Sequence, residues 1–156
     1  MRDLSSRLSL QPVEDSDFEA MLALRIDAMR PSLERVGRFD PQRSRERLTA
    51  GFDAPYMHHI VLDGEHRVGF VTLKPEGPDA LRLDHLFLRT GFQGVGIGEW
   101  VLRWAMAQAR AQQLDIRLTA LLQSDANRFY LRHGFVLEGE EGVDVHYRWR
   151  VRESVS

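Results

Sequence analysis

Glycines at 91, 94, 96 and 98 separate a run of large apolar residues from a helical pattern, within Leu81-Arg-Leu-Asp-His-Leu-Phe-Leu-Arg-Thr-Gly-Phe-Gln-Gly-Val-Gly-Ile-Gly-Glu-Trp100. Residues of this type do chemistry through the backbone. Glycine lets the chain bend tightly and lets a ligand approach it closely. The helix that follows offers free N–H groups and the positive end of its dipole. Together these make an anion site, usually one for phosphate. Two phosphate loops fail on spacing. A G-x-G-x-x-G fingerprint would need glycine where Glu99 or Val101 stands, and a P-loop would need a lysine that this turn lacks. The spacing that remains is Gln93-x-x-Gly96-x-Gly98.

Other chemistries are excluded by what the chain lacks. With no cysteine there is no disulfide, thiolate metal site or cysteine nucleophile. Lys74 is the only lysine, so a Schiff base has one candidate. The six histidines show no metal pattern: His58 and His59 are neighbours on a strand and point to opposite faces, and no H-x-x-x-H lies on a helix. A Ser-His-Asp site lacks its G-x-S-x-G elbow. No metal is expected. A net charge of -2 without a basic run argues against nucleic acid. No apolar run approaches about 20 residues, so no membrane span is expected. Met1-Arg-Asp-Leu-Ser-Ser has no signal-peptide core. A cytoplasmic protein is the expectation. At 156 residues, 43% hydrophobic and 28% charged, the chain reads as one domain over 1–156, long enough for a real core.

The elements that must position the turn follow from pattern. Arg7 to Val13 alternates and reads as a strand. Ser16-Asp-Phe-Glu19 has the form of a capping box opening a helix from about Asp17 to Met29, with Phe18, Met21, Leu22, Ile26 and Met29 as its core stripe. Pro31 to Pro41 is irregular, and a second helix spans about Pro41 to Phe52, with Pro41 suited to its first turn. Met57 to Leu62 and Arg67 to Lys74 are strands around the hairpin signal Asp63-Gly64. A Pro75 to Pro78 turn leads to the Leu81–Leu88 strand, so an antiparallel meander precedes the glycines. That order argues against a Rossmann domain, whose glycine loop lies in a parallel unit. A helix runs from about Gly98 through Ala109. Asp115 to Leu122 is a strand and Ser124 to His133 a short helix, capped by Ser124 or Asp125 and stopped by Gly134. Phe135–Glu138 and Val143–Val151 close the sheet, and Glu153 to Ser156 should fray.

A second motif, Ala126-Asn-Arg-Phe-Tyr-Leu-Arg-His-Gly-Phe135, stands downstream of the glycines. It resembles the A-x-x-[FL]-Y-x-x-x-G-F signature of GNAT acetyltransferases, and Gln93-x-x-Gly96-x-Gly98 resembles that superfamily's Q/R-x-x-G-x-G/A turn. The resemblance covers about Val68 to Val151 well. It implies an α/β (α+β) fold with a mixed central sheet of six to seven strands, about four helices and splayed cofactor-binding strands. It implies an N-acetyltransferase that moves an acetyl group from acetyl-CoA to a primary amine of a small molecule or peptide by direct attack. An acyl-CoA-binding regulatory domain without turnover is the alternative; an interaction scaffold would make the glycines incidental.

The resemblance also assigns residues. The backbone of Leu86, Phe87 and Leu88 would pair with pantetheine and donate to the thioester oxygen. The amides of Gln93, Gly94, Val95, Gly96, Ile97 and Gly98 would hold the pyrophosphate. Tyr130 aligns with the general acid that protonates the leaving thiolate. Family members often carry an asparagine six or seven residues before that tyrosine; Gln123 and Ser124 stand there here. Ser124 or Asn127 would then contact the cofactor. The general base is open: Asp84 on the strand, with His85 read as facing the opposite way, Glu34 or Asp40 near the acceptor pocket, or ordered water. The acidic set Glu34, Asp40 and Asp84 suits a cationic amine. A strand at Trp149, read as exposed, would allow a homodimer.

Overall fold

The computed structural model describes residues 3–152; the end at Glu153 to Ser156, expected to fray, lies outside them. Seven strands form one sheet in the order β1-β2-β3-β4-β5-β7-β6. They are β1 (Leu8–Pro12), β2 (Met57–Leu62), β3 (His66–Glu76), β4 (Ala80–Leu88), β5 (Asp115–Leu121), β6 (Val136–Glu141) and β7 (Asp144–Trp149). The helices are α1 (Leu4–Arg7), α2 (Phe18–Arg35), α3 (Pro41–Gly51), α4 (Ile97–Gln112) and α5 (Ala126–Arg132). The count exceeds the expected four by the one-turn α1.

The meander β1 to β4 is antiparallel throughout, as the hairpin signal required. Asp63 and Gly64 take φ of 54° and 79°. These are the two left-handed positions of a tight hairpin turn. β4 and β5 are parallel and joined across α4. In β5 and β7 every second residue is buried. Ile116, Leu118, Val145, Tyr147 and Trp149 thereby meet Val101, Leu102, Ala105 and Ala109 of α4 on one face of the sheet. On the other face Met21, Leu22 and Leu24 of α2 and Leu48 of α3 pack against Met57 and Phe70. Among the described residues no helix is long and apolar enough to cross a membrane.

Four expectations are corrected. The first strand begins only at Leu8, because Asp3 accepts from the Ser5 hydroxyl and its carbonyl from the Ser6 hydroxyl at 2.8 and 2.7 Å, which winds Leu4–Arg7 into a turn. The capping box is Glu14-x-x-Asp17, not Ser16 to Glu19: the Glu14 amide donates to Asp17 Oδ2 at 2.9 Å. Asp17 is chosen by tertiary contact, since its carboxylate also meets His59 Nε2 at 2.9 Å and Arg67 Nη1 at 3.2 Å. α2 continues past Pro31 to Arg35. A proline there removes one helical hydrogen bond, and the last turns are held by the Arg30–Glu34 pair at 3.3 Å and by Arg30 over the Phe39 ring at 4.6 Å. Finally, Trp149 is not exposed. β7 lies between β5 and β6, and Trp149 is buried beneath Arg110.

Candidate active site

β4 and β5 pair only at Ala80–Asp115, Leu81–Ile116 and Arg82–Arg117. β4 runs on to Leu88 and β5 to Leu121, so the strands diverge beyond Arg82 and open a cleft. The backbone of β4 along Leu86 to Leu88 is left with one unpaired edge, which is a template for an extended ligand. At the cleft mouth a Cβ on Gly98 would stand 3.5 Å from Phe129 Cζ and 3.9 Å from Leu88 Cδ1. The cleft, the start of α4 and α5 therefore converge.

The glycine turn sits at that point. Gly94 and Gly96 have φ of 74° and 99°, a region costly for any residue with a Cβ. Gly96 is the N-cap of α4. Trp100 is the first residue of the helix to donate back, to the Gly96 carbonyl at 3.1 Å. The amides of Ile97, Gly98 and Glu99 have no partner among the described residues. A Cβ at Gly94 would meet nothing within 4 Å, so there is room over the turn. Free amides, a dipole end and open space fit a pyrophosphate. Two side-chain bonds fix the turn in place. Gln93 Nε2 donates to the Leu88 carbonyl at 2.9 Å, and the Thr90 amide donates to Asp27 of α2 at 2.8 Å. Val95 is exposed and Ile97 is buried beneath the turn.

Tyr130 is buried on α5, edge-on to Phe129 at 5.2 Å and Phe135 at 5.4 Å. Its hydroxyl makes no hydrogen bond to any described residue, and burial raises its pKa above the ordinary value. It therefore keeps its proton at neutral pH. Asn127 is differently employed. Its Nδ2 donates to the Leu121 and Ser124 carbonyls at 2.9 and 3.0 Å, and its Oδ1 accepts from the Tyr147 hydroxyl at 2.7 Å. These bonds clasp the end of β5 to α5 and β7. The Ser124 hydroxyl accepts from Asn127 at 3.3 Å and does not cap α5, whose N-cap is Asp125.

A bulge in β4 organises the other side. Thr72 pairs with His85 and Leu73 with Leu83, which leaves Asp84 without an opposite residue. An extra residue reverses the alternation. Leu83 before it and Leu86 and Leu88 after it all join the α4 side. His85 and Phe87 turn instead toward α2 and α3, His85 lying 5.7 Å from the Phe70 ring and 5.6 Å from the Phe87 ring. Asp84 and His85 thus share one surface: a Cβ on Gly51 of α3 would stand 3.0 Å from Asp84 Oδ2 and 3.1 Å from His85 Cε1. The expectation that His85 faces away is overturned, because strict alternation holds only without a bulge. Asp84 pairs with Lys74 at 3.3 Å. Glu34 is held at the surface by Arg30, and Asp40 caps α3 by accepting from the Gln42 amide at 3.0 Å.

Arg25 is the residue that pattern reading missed. It lies on the buried stripe of α2, one turn after Met21, yet carries a charge. Its guanidinium stacks on Phe87 at 5.0 Å, and its Nε is enclosed without a partner. Its place in the Met21 and Leu22 stripe was the available signal.

His85 makes a pH prediction. Burial first, then the neighbouring Arg25 and Lys74, lower its pKa to about 4 against a pull upward from Asp84. The unfolded chain binds that proton near pH 6.5. Between about pH 6.5 and 4 the unfolded state holds more protons, so stability falls as pH falls, by at most about 1.4 kcal/mol per pH unit. Asp17, held down to about 2 by the Glu14 amide and His59, adds its loss only below 3.8. Urea unfolding from pH 4.5 to 7 should show the slope in the native protein and a shallower one in His85→Asn, the remainder coming from His58, whose pKa burial also lowers. An equal slope in both would remove His85 as its source.

A mixed sheet splays here beside the N-terminus of α4, whose first amides lack partners among the described residues. The sequence model of the acetyltransferase (GNAT) domain family matches residues 55–137. The chain belongs to the GNAT acetyltransferase family and is an enzyme of that class. Solved structures agree in fold. The PaiA N-acetyltransferase of Thermoplasma acidophilum, solved with coenzyme A, is 17% identical with a TM-score of 0.72, covering 92% of this chain and 98% of that one. An acetyltransferase of Thermus thermophilus is 22% identical with a TM-score of 0.68, covering 91% and 96%. A protein of Pyrococcus horikoshii is 21% identical with a TM-score of 0.70, covering 92% and 98%. No curated protein matches the chain significantly.

Proposed function

We propose that the protein transfers an acetyl group from acetyl-CoA to a primary amine of a small molecule or peptide by direct attack. The observation that carries this reading is the cleft between β4 and β5 ending at the free amides of α4. Acetyl-CoA would supply the acetyl group as a thioester. The backbone of Leu86, Phe87 and Leu88 would align it along the open edge, and the turn from Gln93 to Gly98 would bind the pyrophosphate. Ser124 and Asn127 take a supporting part, fixing α5 and so Tyr130. The Tyr130 hydroxyl, protonated and without a hydrogen-bond partner among the described residues, would give its proton to the departing sulfur. Asp84, with His85 beside it at the bulge, would receive the proton of the attacking amine. The rest is positioning and oxyanion stabilisation by fixed dipoles. Among the described residues no cluster of His, Cys, Asp or Glu is placed to hold a metal ion, so none is invoked.

Binding to the folded state alone raises the melting temperature. At 100 times Kd the gain is about 2.7 kcal/mol, or roughly 5–10 °C for a chain of this size. Acetyl-CoA is expected to give such a shift, and an accepted amine to release free thiol. No shift at millimolar acetyl-CoA would end the proposal. A shift without thiol release from any amine would select the binding domain without turnover.

A further inference from the structure

We infer that the acceptor is a zwitterion, an amine that also bears a carboxylate, and that Arg25 with Arg47 receives the carboxylate. This rests on the acetyl-transfer reading above and names the substrate class of the same site.

Arg25 is only 7% exposed, yet no hydrogen bond or ion pair reaches it from any described residue. A buried guanidinium that makes no hydrogen bond is costly, because it loses water, and the nearby Asp84 charge offsets only part of that cost. Phe87 beneath it at 5.0 Å returns part of that cost. The enclosed atom is Nε; the terminal nitrogens retain access to solvent. Burial first, and then the like charge of Arg47, lower the Arg25 pKa to about 10 against an upward pull from Asp84, so Arg25 remains a cation. Arg47 is exposed and has no ion pair among the described residues. Its position is not accidental to the site. It lies one turn before Gly51 on α3, and Gly51 is the residue pressed against Asp84 and His85.

Two guanidinium groups that make no hydrogen bond or close ion pair with any described residue therefore stand beside Asp84 and His85, Arg25 within reach of the Asp84 charge and Arg47 one turn from Gly51. Lys74 adds a third positive group, already paired to Asp84 at 3.3 Å. Arg82 approaches Asp84 as well, at 4.0 Å, so the positive groups around this one carboxylate disfavour an acceptor that is only cationic, against the expectation from the scattered acidic residues. It suits an acceptor whose amine faces Asp84 and His85 while its anion is gripped by the guanidinium fork.

The test compares amino acids with their carboxamides. The probes are the free α-amino acids and the unbranched ω-amino acids with one to five methylenes between amine and carboxylate, each beside its amide. Thiol release from acetyl-CoA is measured, with the acetyl-CoA thermal shift recorded in parallel. At least one acid should exceed its amide in kcat/KM by about tenfold or more, mainly through KM. Arg25→Met should collapse that ratio toward one with little change in melting temperature, since relief of a buried charge offsets the lost attraction to Asp84 and Phe87. Arg25→Lys should restore part of the ratio. Should Arg25→Met not fold, Arg47→Met, at an exposed position, should reduce the same ratio severalfold. Amides that equal or exceed acids throughout, with the acetyl-CoA shift and turnover intact, overturn this inference and leave the acetyl-transfer reading standing. An Arg25→Met protein that is less stable and keeps the acid preference makes Arg25 structural and also overturns it. Absence of any acetyl-CoA shift removes the functional reading itself, and this inference with it.

Discussion

Gly98→Asp should weaken acetyl-CoA binding by on the order of 100-fold or more, about 3 kcal/mol, while the protein stays folded. Position 98 is preferred to 96 for a physical reason. Gly96 has a φ of 99°, so any substitution there strains the backbone and confuses binding with folding. Gly98 lies inside the first turn of α4, and an added Cβ makes an ordinary 3.5 Å contact with Phe129. An acidic residue in a first turn is favoured by the helix dipole, so α4 should form at least as well as before. The amides of Ile97, Gly98 and Glu99 remain in place. What changes is one negative charge where two phosphates are proposed to bind. Gly98→Ala is the control for size: it should raise stability by up to about 1 kcal/mol and leave binding within a few fold. Calorimetric titration of all three proteins decides the matter. Equal affinity in Gly98→Asp would mean that the phosphates bind elsewhere.

Tyr130→Phe should lower kcat and kcat/KM by the same factor, on the order of 10²–10⁴, with acetyl-CoA affinity nearly unchanged. The lower end is favoured. Burial pushes the Tyr130 pKa up, which makes it a weaker acid than a free phenol, while a thiol with a pKa of about 8.5 is already a fair leaving group. The substitution keeps the ring and its edge-on contacts with Phe129 and Phe135. The hydroxyl has no hydrogen-bond partner among the described residues, so the melting temperature should hold. Single-turnover kinetics isolate the chemical step. If that step is unchanged, Tyr130 only packs, and the proton reaches the sulfur from water or from the Asp84 side.

The features legible in residue order alone are those whose cause is local. Asp63-Gly64 fixed a hairpin because both residues tolerate left-handed backbone. The glycines at 94 and 96 fixed a turn that opens α4, and Gly134, at φ 93°, stopped α5. The stripe on α2 marked Met21 and Leu22 as buried, and two motifs in order fixed the family. Packing settled everything that depends on a neighbour distant in the chain. The cleft exists because β4 and β5 stop pairing after Arg82, and pairing between remote strands leaves no periodic mark on either. The bulge at Asp84 is one extra residue relative to β3, invisible in β4 alone, and it turned His85 to the side of Asp84. Asn127 reads in the sequence only as a cofactor contact, and the fold adds its bonds to Leu121, Ser124 and Tyr147, which lie outside its own helix. Arg25 was passed over because a charge in an apolar stripe reads as an interruption. Burial without a hydrogen bond gives it meaning, and both are properties of the packed protein, set by where α2 and α3 rest on the sheet.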